Sequence, residues 1–199
     1  MPVYIDTHNH VGLTEVSEDL EAFAQKCREA GIRSGVITTG TVKDFERVSQ
    51  VAQKLHWGYC VGLHPLYISE DYQADLQSLK EFLTTHLDDE YLVGIGEIGL
   101  DFYVEGLNRV NQEKVFEAEL QLAQSFNLSV SVHSRRALYR VMALMGRYPE
   151  VRGALHAFSG SSEELKQALK RGYFLGFGGA MTYSGSKRVR QAALLCPQD

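Results

Sequence analysis

Short apolar runs alternate with longer amphipathic stretches along this chain. The runs lie at residues 3–5, 35–38, 59–63, 92–96, 129–132, 153–155 and 174–177. Between them, apolar residues recur at helical spacing, as in the series Phe45, Val48, Val51, Ala52 and Leu55. Strands that alternate with helices are typical of α/β proteins in which the strands are parallel.

The first amphipathic stretch carries the usual helix boundary signals. Ser17 is the predicted N-cap, Leu20, Phe23 and Cys27 share one apolar face, and Gly31 follows the expected end. The sequence therefore predicts a helix between the first and second strands.

Histidine and glutamate residues follow several of the apolar runs. His8 and His10 come after the first run and project from the same side of an extended backbone. Glu97, His133 and His156 follow the fourth, fifth and sixth runs. Neutral imidazoles and a carboxylate suit zinc and also accept manganese, nickel or iron. These residues predict a metal site and leave the identity of the metal open.

A doubly wound sheet and a (β/α)8 TIM barrel both fit the alternation of strands and helices. Ligands that follow strands one, four, five and six must meet at one point, and a barrel brings all strand ends to one mouth. We therefore expect a (β/α)8 barrel. The sequence contains seven strand-like runs and stops where an eighth strand should begin, so the last βα unit is expected to be absent.

Length and composition fit one domain over residues 1–199, which we expect to be C-terminally incomplete. The chain is 44% hydrophobic and 23% charged, which allows a sizeable core. It has no run of the ~20 apolar residues that span a bilayer, and Met1 leads into a strand rather than a signal peptide. We predict a cytoplasmic protein without membrane contact.

Cysteine usage agrees with that compartment. Cys27, Cys60 and Cys196 are scattered along the chain. Such spacing fits small core residues in a reducing environment and argues against a disulfide framework or a thiolate metal site.

The net charge of −5 argues against a protein that binds nucleic acid through an extended basic stripe. An anionic substrate would have to be attracted locally. Two divalent cations, together with Arg135 and Arg136 just after His133, would supply that local positive charge.

Five short motifs stand in a fixed order along the whole chain. They are Asp6-Thr7-His8-Asn9-His10, Gly62-Leu63-His64-Pro65, Gly96-Glu97-Ile98-Gly99-Leu100-Asp101, Val132-His133-Ser134-Arg135 and His156-Ala157-Phe158-Ser159-Gly160. This ordered set resembles the TatD-type metal-dependent hydrolases, a branch of the amidohydrolase-like TIM barrels. Each motif alone is weak, but their order and spacing together are highly specific.

The resemblance implies a deoxyribonuclease that hydrolyses phosphodiester bonds with two divalent ions, which could be Zn, Mn, Mg, Ni or Fe. It implies that His8 and His10 bind the first ion and that His133 and His156 bind the second. Glu97 would bridge the two ions and serve as the catalytic residue. In such a site, an acidified water would attack phosphorus. DNA or a nucleotide phosphodiester is the expected substrate.

The resemblance has one gap at the C-terminal end. Family members carry a late Asp on the eighth strand, which binds the first metal and takes the proton of the water. The last acid here, Asp199, is not assigned that role. Either this is a shortened form of a longer gene product, which we favour, or the natural product lacks its last quarter. An incomplete barrel exposes two sheet edges, so we expect dimerisation or strand rearrangement.

Four further residues have two interpretations each. His64 is predicted to contact substrate, with turn capping as the alternative. Arg135 is predicted to clamp a phosphate, with an ion pair to a helix acid as the alternative. Asp6 and Asp101 are expected to orient ligands or backbone rather than to bind metal.

Two other functions stay open. The same activated water attacks carbonyl carbon, so the site could belong to a carboxyl ester, lactone or amide hydrolase. Without the late Asp, this form could also bind metal and a partner without turnover.

Overall fold

One parallel sheet of seven strands organises the computed structural model, which describes residues 3–13 and 19–197. The strands pair in chain order: β1 (Tyr4–Asn9), β2 (Ile32–Thr38), β3 (Gly58–Val61), β4 (Leu92–Asp101), β5 (Ser129–Arg135), β6 (Gly153–Leu155) and β7 (Phe174–Leu175). The predicted strands are confirmed. The strands pair in parallel because the segments between them are long enough to carry the chain back to the end of the sheet at which each strand starts.

Helices connect or follow the strands. In the described residues they are α1 (Leu20–Glu29), α2 (Phe45–Leu55), α3 (Tyr72–His86), α4 (Arg109–Phe126), α5 (Leu138–Met145), α6 (Ser162–Lys170) and α7 (Lys187–Leu195). Asp19 caps α1, because its Oδ1 accepts a hydrogen bond from the Ala22 N–H at 3.0 Å. Ser17, the predicted cap, lies outside the described residues.

The sheet curls as a barrel does. The Nδ1 atom of His8 on β1 lies 2.9 Å from Ser131 Oγ on β5. The His8 ring also stacks on that of His156, just after β6, with centroids 3.7 Å apart. In a flat sheet, β1 and β5 would be four strand spacings apart, roughly 19 Å. The expected barrel curvature is therefore confirmed, with β1 and β7 as the two edges of the described sheet.

Strands β1, β4 and β5 run further than the apolar pattern predicts. They end at Asn9, Asp101 and Arg135, so that His8, Glu97 and His133 lie inside strands and not after them. Backbone pairing does not require apolar side chains, and the β4–β5 ladder continues through Gly99 opposite His133. The polar residues therefore stand on rigid strand ends.

Gly99 allows this close pairing. Its φ is +128°, and a Cβ atom there would lie 2.1 Å from the His133 carbonyl oxygen. Any larger residue would push β4 away from β5 beside His133.

An apolar core lies inside the sheet and beneath the helices. Ile95 and Val132 on the central strands and Phe116 on α4 are fully buried. Cys27 and Cys60 are buried and free, as predicted. Within the described residues, no helix is both long and apolar enough to cross a bilayer.

Candidate metal centre

The Glu97 carboxylate on β4 is buried and lies among histidine rings at the mouth of the sheet. Its Oε2 atom is 3.2 Å from His8 Nε2 and 3.4 Å from His10 Nε2. His8 lies near the end of β1, and His10 directly follows this strand. One oxygen of Glu97 thus faces the pair that the sequence predicts as ligands of a first ion.

The other oxygen, Oε1, faces a second set of histidines. It lies 3.0 Å from His133 Nδ1, 3.2 Å from His156 Nε2 and 3.4 Å from His64 Nε2. His64 and His156 follow β3 and β6, whereas His133 lies within β5, and 59 positions of sequence separate Glu97 from His156. The structure therefore brings every predicted ligand to one carboxylate.

His8 and His10 each have a hydrogen-bond partner on their second nitrogen. His10 Nδ1 lies 3.2 Å from the Thr38 carbonyl oxygen, which can only accept, so in the neutral ring Nδ1 carries the proton and Nε2 keeps its lone pair. His8 Nδ1 meets Ser131 Oγ at 2.9 Å. Metal-binding imidazoles are usually held in this way, so these residues fit a resident cation.

His64 has the opposite arrangement. Its Nδ1 accepts a hydrogen bond from the Leu66 N–H at 3.2 Å. In the neutral ring, the proton then lies on Nε2, which donates towards Glu97. His64, Glu97 and His133 are close enough to hold an ion together, yet this tautomer makes His64 a hydrogen-bond donor. That property fits a substrate contact better than a ligand.

Asp101 holds His133 and the loop after β4. Its Oδ2 lies 3.1 Å from His133 Nε2, and its Oδ1 accepts from the Tyr103 N–H at 2.9 Å. Asp6 Oδ1 accepts from the His8 N–H at 3.2 Å. Both acids thus lie where they orient a ligand or its backbone, as expected from the sequence.

The histidines control the ionisation of the two carboxylates. Burial favours the neutral form of Glu97, but hydrogen bonds from His10, His133, His156 and His64 outweigh burial and hold its pKa well below the usual range. Burial likewise opposes ionisation of Asp101, and its bond with His133 lowers the pKa. Both carboxylates are therefore negatively charged at neutral pH.

The histidine pKa values differ around the same carboxylate. Burial lowers the pKa of His8, whereas the hydrogen bond to Glu97 raises the pKa of His10. Burial also acts against the protonated form of His133, but its bonds to Glu97 and Asp101 prevail and raise the pKa. Protons on His10 and His133 balance part of the negative charge when no cation is bound.

Two buried polar residues on α4 were not identified from the sequence. Gln112 pairs with the backbone of Asp101, accepting from its N–H at 2.9 Å and donating to its carbonyl at 3.1 Å. Glu119 Oε1 accepts from the Leu63 N–H at 2.7 Å. The available signal was the placement of two polar residues, seven positions apart, on the otherwise apolar face of a helix.

Arg135 lies at the end of β5, where its guanidinium stacks 3.7 Å from the centre of the Tyr103 ring. It forms no ion pair with any carboxylate in the described ranges, so the alternative of pairing with a helix acid is not observed. Its N–H donors are left for another acceptor.

Comparison with known proteins identifies the family. Residues 5–199 match the family model described as TatD related DNase. A Haemophilus influenzae protein, described as an uncharacterized metal-dependent hydrolase, is 30% identical over 205 residues, covering 98% of this chain and 78% of the relative. The chain belongs to the TatD family. It is accordingly a metal-dependent hydrolase.

Two further proteins resemble this TatD-family chain over most of its length. The crystal structure of YjjV, a TatD homologue from Escherichia coli K12, has a TM-score of 0.91 at 28% identity, covering 98% of this chain and 75% of that one. A 3'-5' ssDNA/RNA exonuclease TatD from a Pantoea species is 33% identical over 171 residues, 83% of this chain and 64% of the relative. The fold and the family are thus the same as those predicted.

Proposed function

We propose that this chain hydrolyses phosphodiester bonds in DNA or a related nucleotide, with two divalent cations bound on opposite sides of Glu97. One observation carries the proposal. The two oxygens of a single buried carboxylate face different histidines, His8 and His10 on one side and His133 and His156 on the other. A carboxylate with this arrangement can bridge two ions.

Residues of this chain would then have distinct roles. His8 and His10 with Glu97 Oε2 would hold one cation, and His133 and His156 with Oε1 the other. Zn, Mn, Mg, Ni and Fe all accept such donors. Divalent cations at a site of this kind provide a nucleophilic water at neutral pH and neutralise charge on the phosphoryl group.

Other residues would bind and orient the substrate. His64 donates through Nε2 and can reach a substrate oxygen on the Glu97 side of the site. Arg135, held against Tyr103, can clamp a phosphate oxygen with its free N–H groups. These donors favour an anionic phosphodiester over a neutral carboxyl ester, lactone or amide. The activity named for the Pantoea relative supports the same choice.

Hydrolysis of bis(p-nitrophenyl) phosphate and of a labelled DNA oligonucleotide, with bound metal quantified, tests the proposal. Glu97→Ala should reduce both activities to background and lower the metal content, because both cations lose a shared ligand. Glu105→Ala, which replaces an exposed glutamate, serves as the matched control. Unchanged turnover in Glu97→Ala would overturn the proposal, and metal binding without hydrolysis in the parent chain would favour a non-catalytic form.

A further inference from the structure

Two buried hydroxyl groups lie next to the rings of His8 and His10. Thr38, the last residue of β2, is fully buried, and Ser131 on β5 is 7% exposed. Neither residue belongs to the five motifs that carry the family resemblance. A hydroxyl group is costly to bury unless it is hydrogen-bonded, so the partners of these two groups indicate what they do in the fold.

Ser131 reaches across the interior of the curled sheet. Its Oγ atom lies 2.9 Å from His8 Nδ1, although four strand spacings separate β1 from β5 along the sheet. His8 Nε2 faces Glu97 Oε2 at 3.2 Å, and a cation bound there needs the lone pair of Nε2. The neutral ring then carries its proton on Nδ1 and donates it to the Ser131 hydroxyl. Ser131 thus fixes the tautomer and the orientation of the His8 ring.

The same strand pair supports the Ser131 hydroxyl and the Glu97 carboxylate. Ser131 on β5 pairs with Gly96 on β4, the residue that precedes Glu97. The two backbones are so close that a Cβ atom at Gly96 would lie 2.8 Å from Ser131 Cβ. The hydroxyl that orients His8 and the carboxylate that His8 faces are therefore held on one rigid support.

Thr38 contacts both histidines of the first pair. Its carbonyl oxygen lies 3.2 Å from His10 Nδ1, and its Oγ1 atom lies 3.3 Å from the same nitrogen. The hydroxyl donates its own hydrogen to the Asn9 carbonyl oxygen at 3.3 Å, which leaves a lone pair of Oγ1 for His10. Oγ1 also lies 3.3 Å from His8 Nε2. Thr38 therefore receives the Nδ1–H of His10 with two oxygens and lies against His8.

The histidines of the second pair are held by other groups. His133 Nε2 lies 3.1 Å from Asp101 Oδ2, and the His156 ring stacks on that of His8 with centroids 3.7 Å apart. In the described part of the chain, neither buried hydroxyl group is hydrogen-bonded to His133 or His156. The two pairs of histidines thus have separate supports.

We propose that Thr38 and Ser131 are the positioning residues of the first cation site, formed by His8, His10 and Oε2 of Glu97, and that they set its affinity separately from that of the second site. The inference rests on the two cations of the proposed function. The three ligand residues present atoms within 4.8 Å of one another, so a small rotation of either ring changes the fit to a cation. Loss of a partner that orients a ligand typically costs 10- to 100-fold in metal affinity.

Titration of the metal-free protein with Zn²⁺, in competition with a chromophoric chelator, measures the binding constants of both ions. Ser131→Ala should weaken one Zn²⁺ equivalent about 10- to 100-fold and leave the other as in the parent chain. Ser49→Ala is the matched control, because Ser49 is also buried but lies on α2. If Ser131→Ala binds both equivalents as tightly as Ser49→Ala does, Ser131 does not position His8 and the inference is overturned.

Thr38→Val removes the second hydroxyl group and keeps the shape of the side chain and the backbone carbonyl. It should weaken one Zn²⁺ equivalent about 10-fold, whereas Thr38→Ser, which keeps the hydroxyl, should bind as the parent chain does. Thr39→Val is the control, because Thr39 is fully buried too but accepts from the Gly62 N–H. If both valine variants lose stability in urea and neither changes Zn²⁺ binding, Thr38 has only a structural role.

A double variant shows whether the supports act on different ions. Asp101→Asn alters the partner of His133 in the second pair. Ser131→Ala combined with Asp101→Asn should therefore weaken both Zn²⁺ equivalents. If the two losses fall on a single equivalent and the other stays as in the parent chain, the separate control of the two sites is overturned.

Hydrolysis separates this inference from the proposed function. If the parent chain binds two Zn²⁺ ions, Ser131→Ala loses one selectively and neither DNA nor bis(p-nitrophenyl) phosphate is cleaved, the inference holds and the phosphodiesterase is overturned. If the parent chain cleaves both compounds and Ser131→Ala binds Zn²⁺ unchanged, the phosphodiesterase holds and the inference is overturned. A parent chain that binds only one Zn²⁺ ion overturns the two-cation arrangement and the inference with it.

Discussion

The Glu119 carboxyl group, inside α4, accepts a hydrogen bond from the Leu63 backbone N–H at 2.7 Å. Its second oxygen, Oε2, is buried and has no hydrogen-bond partner among residues 3–13 and 19–197. Burial raises the pKa of Glu119 well above its ordinary value, so the group is protonated in the folded chain. Because Leu63 directly precedes His64, Glu119 positions the loop that carries this histidine.

Glu119→Gln should change the pH dependence of stability. The folded pKa lies above the unfolded value of about 4.3, so the contribution of Glu119 is fully present below that pH and is lost as the pH rises. The loss for one group is at most about 1.4 kcal/mol per pH unit. Glutamine keeps the acceptor but cannot ionise. Urea unfolding at pH 5 and pH 8 should therefore show a smaller loss of stability in the variant.

Glu105→Gln is the control for this comparison, because Glu105 is exposed and lies outside α4. Its unfolding free energy should follow the parent chain at both pH values. If Glu119→Gln and the parent chain lose the same stability between pH 5 and pH 8, Glu119 is not held neutral by burial.

Gln112→Ala should destabilise the end of β4. The glutamine makes two hydrogen bonds to the backbone of Asp101, and its removal leaves a buried N–H and a buried carbonyl without partners. An unsatisfied buried group costs about 1–3 kcal/mol. Urea unfolding should detect this loss, whereas Gln124→Ala on the exposed face of the same helix should cost less than about 0.5 kcal/mol. Equal stabilities of the two variants would contradict the role given to Gln112.

Gly99→Ala should lower the stability of the folded chain more than a comparable change in a loop does. The alanine Cβ would lie 2.1 Å from the His133 carbonyl oxygen, so β4 and β5 must separate. Gly106 also has a positive φ, +83°, but nothing lies within 4 Å of its Cβ position. Gly106→Ala should cost about 1–2 kcal/mol from backbone strain alone. Thermal unfolding of both variants compares the two costs, and a larger loss in Gly106→Ala would refute the steric argument.

Much of the fold could be predicted because it depends on local pattern. Apolar runs identify the strands, and the position of His8, Glu97 and His133 at the carboxyl ends of parallel strands predicts that they meet. The partners of these residues could not be predicted in the same way. Ser131 on β5 reaches His8 on β1 only because the sheet curls, and curvature is a property of the whole sheet.

Buried polar residues on α4 were missed for a related reason. Gln112 and Glu119 bond to backbone groups of distant segments, and a sequence pattern reveals side-chain periodicity but not the backbone N–H that a side chain will reach. The tautomer of His64 likewise depends on the Leu66 N–H, which lies two residues away in a turn. The proposed division between cation ligands and a substrate contact depends on these details.

Metal binding to the ion-free protein should release protons and weaken as the pH falls. The hydrogen bond to Glu97 raises the pKa of His10, and bonds to Glu97 and Asp101 outweigh burial and raise that of His133. Both rings thus hold protons at pH values above the ordinary histidine pKa of about 6.5, and a cation must displace those protons. Glu97 releases none, because its pKa is already well below the usual range. Titration calorimetry near pH 7 in two buffers of different ionisation enthalpy counts the protons.

Asp101→Asn tests whether Asp101 helps to hold on His133 the proton that metal binding releases. Loss of the carboxylate removes one of the interactions that raise the pKa of His133, so fewer protons should be released per cation. Affinity for the metal should nevertheless fall about 10- to 100-fold, because a neutral amide oxygen orients the His133 ring less strongly than the carboxylate does. Asp88→Asn, an exposed change away from the site, should match the parent chain in both respects. If the parent chain binds metal without releasing protons, His10 and His133 are already neutral in the ion-free protein. If Asp101→Asn binds metal with the affinity of the parent chain, Asp101 does not support the metal centre.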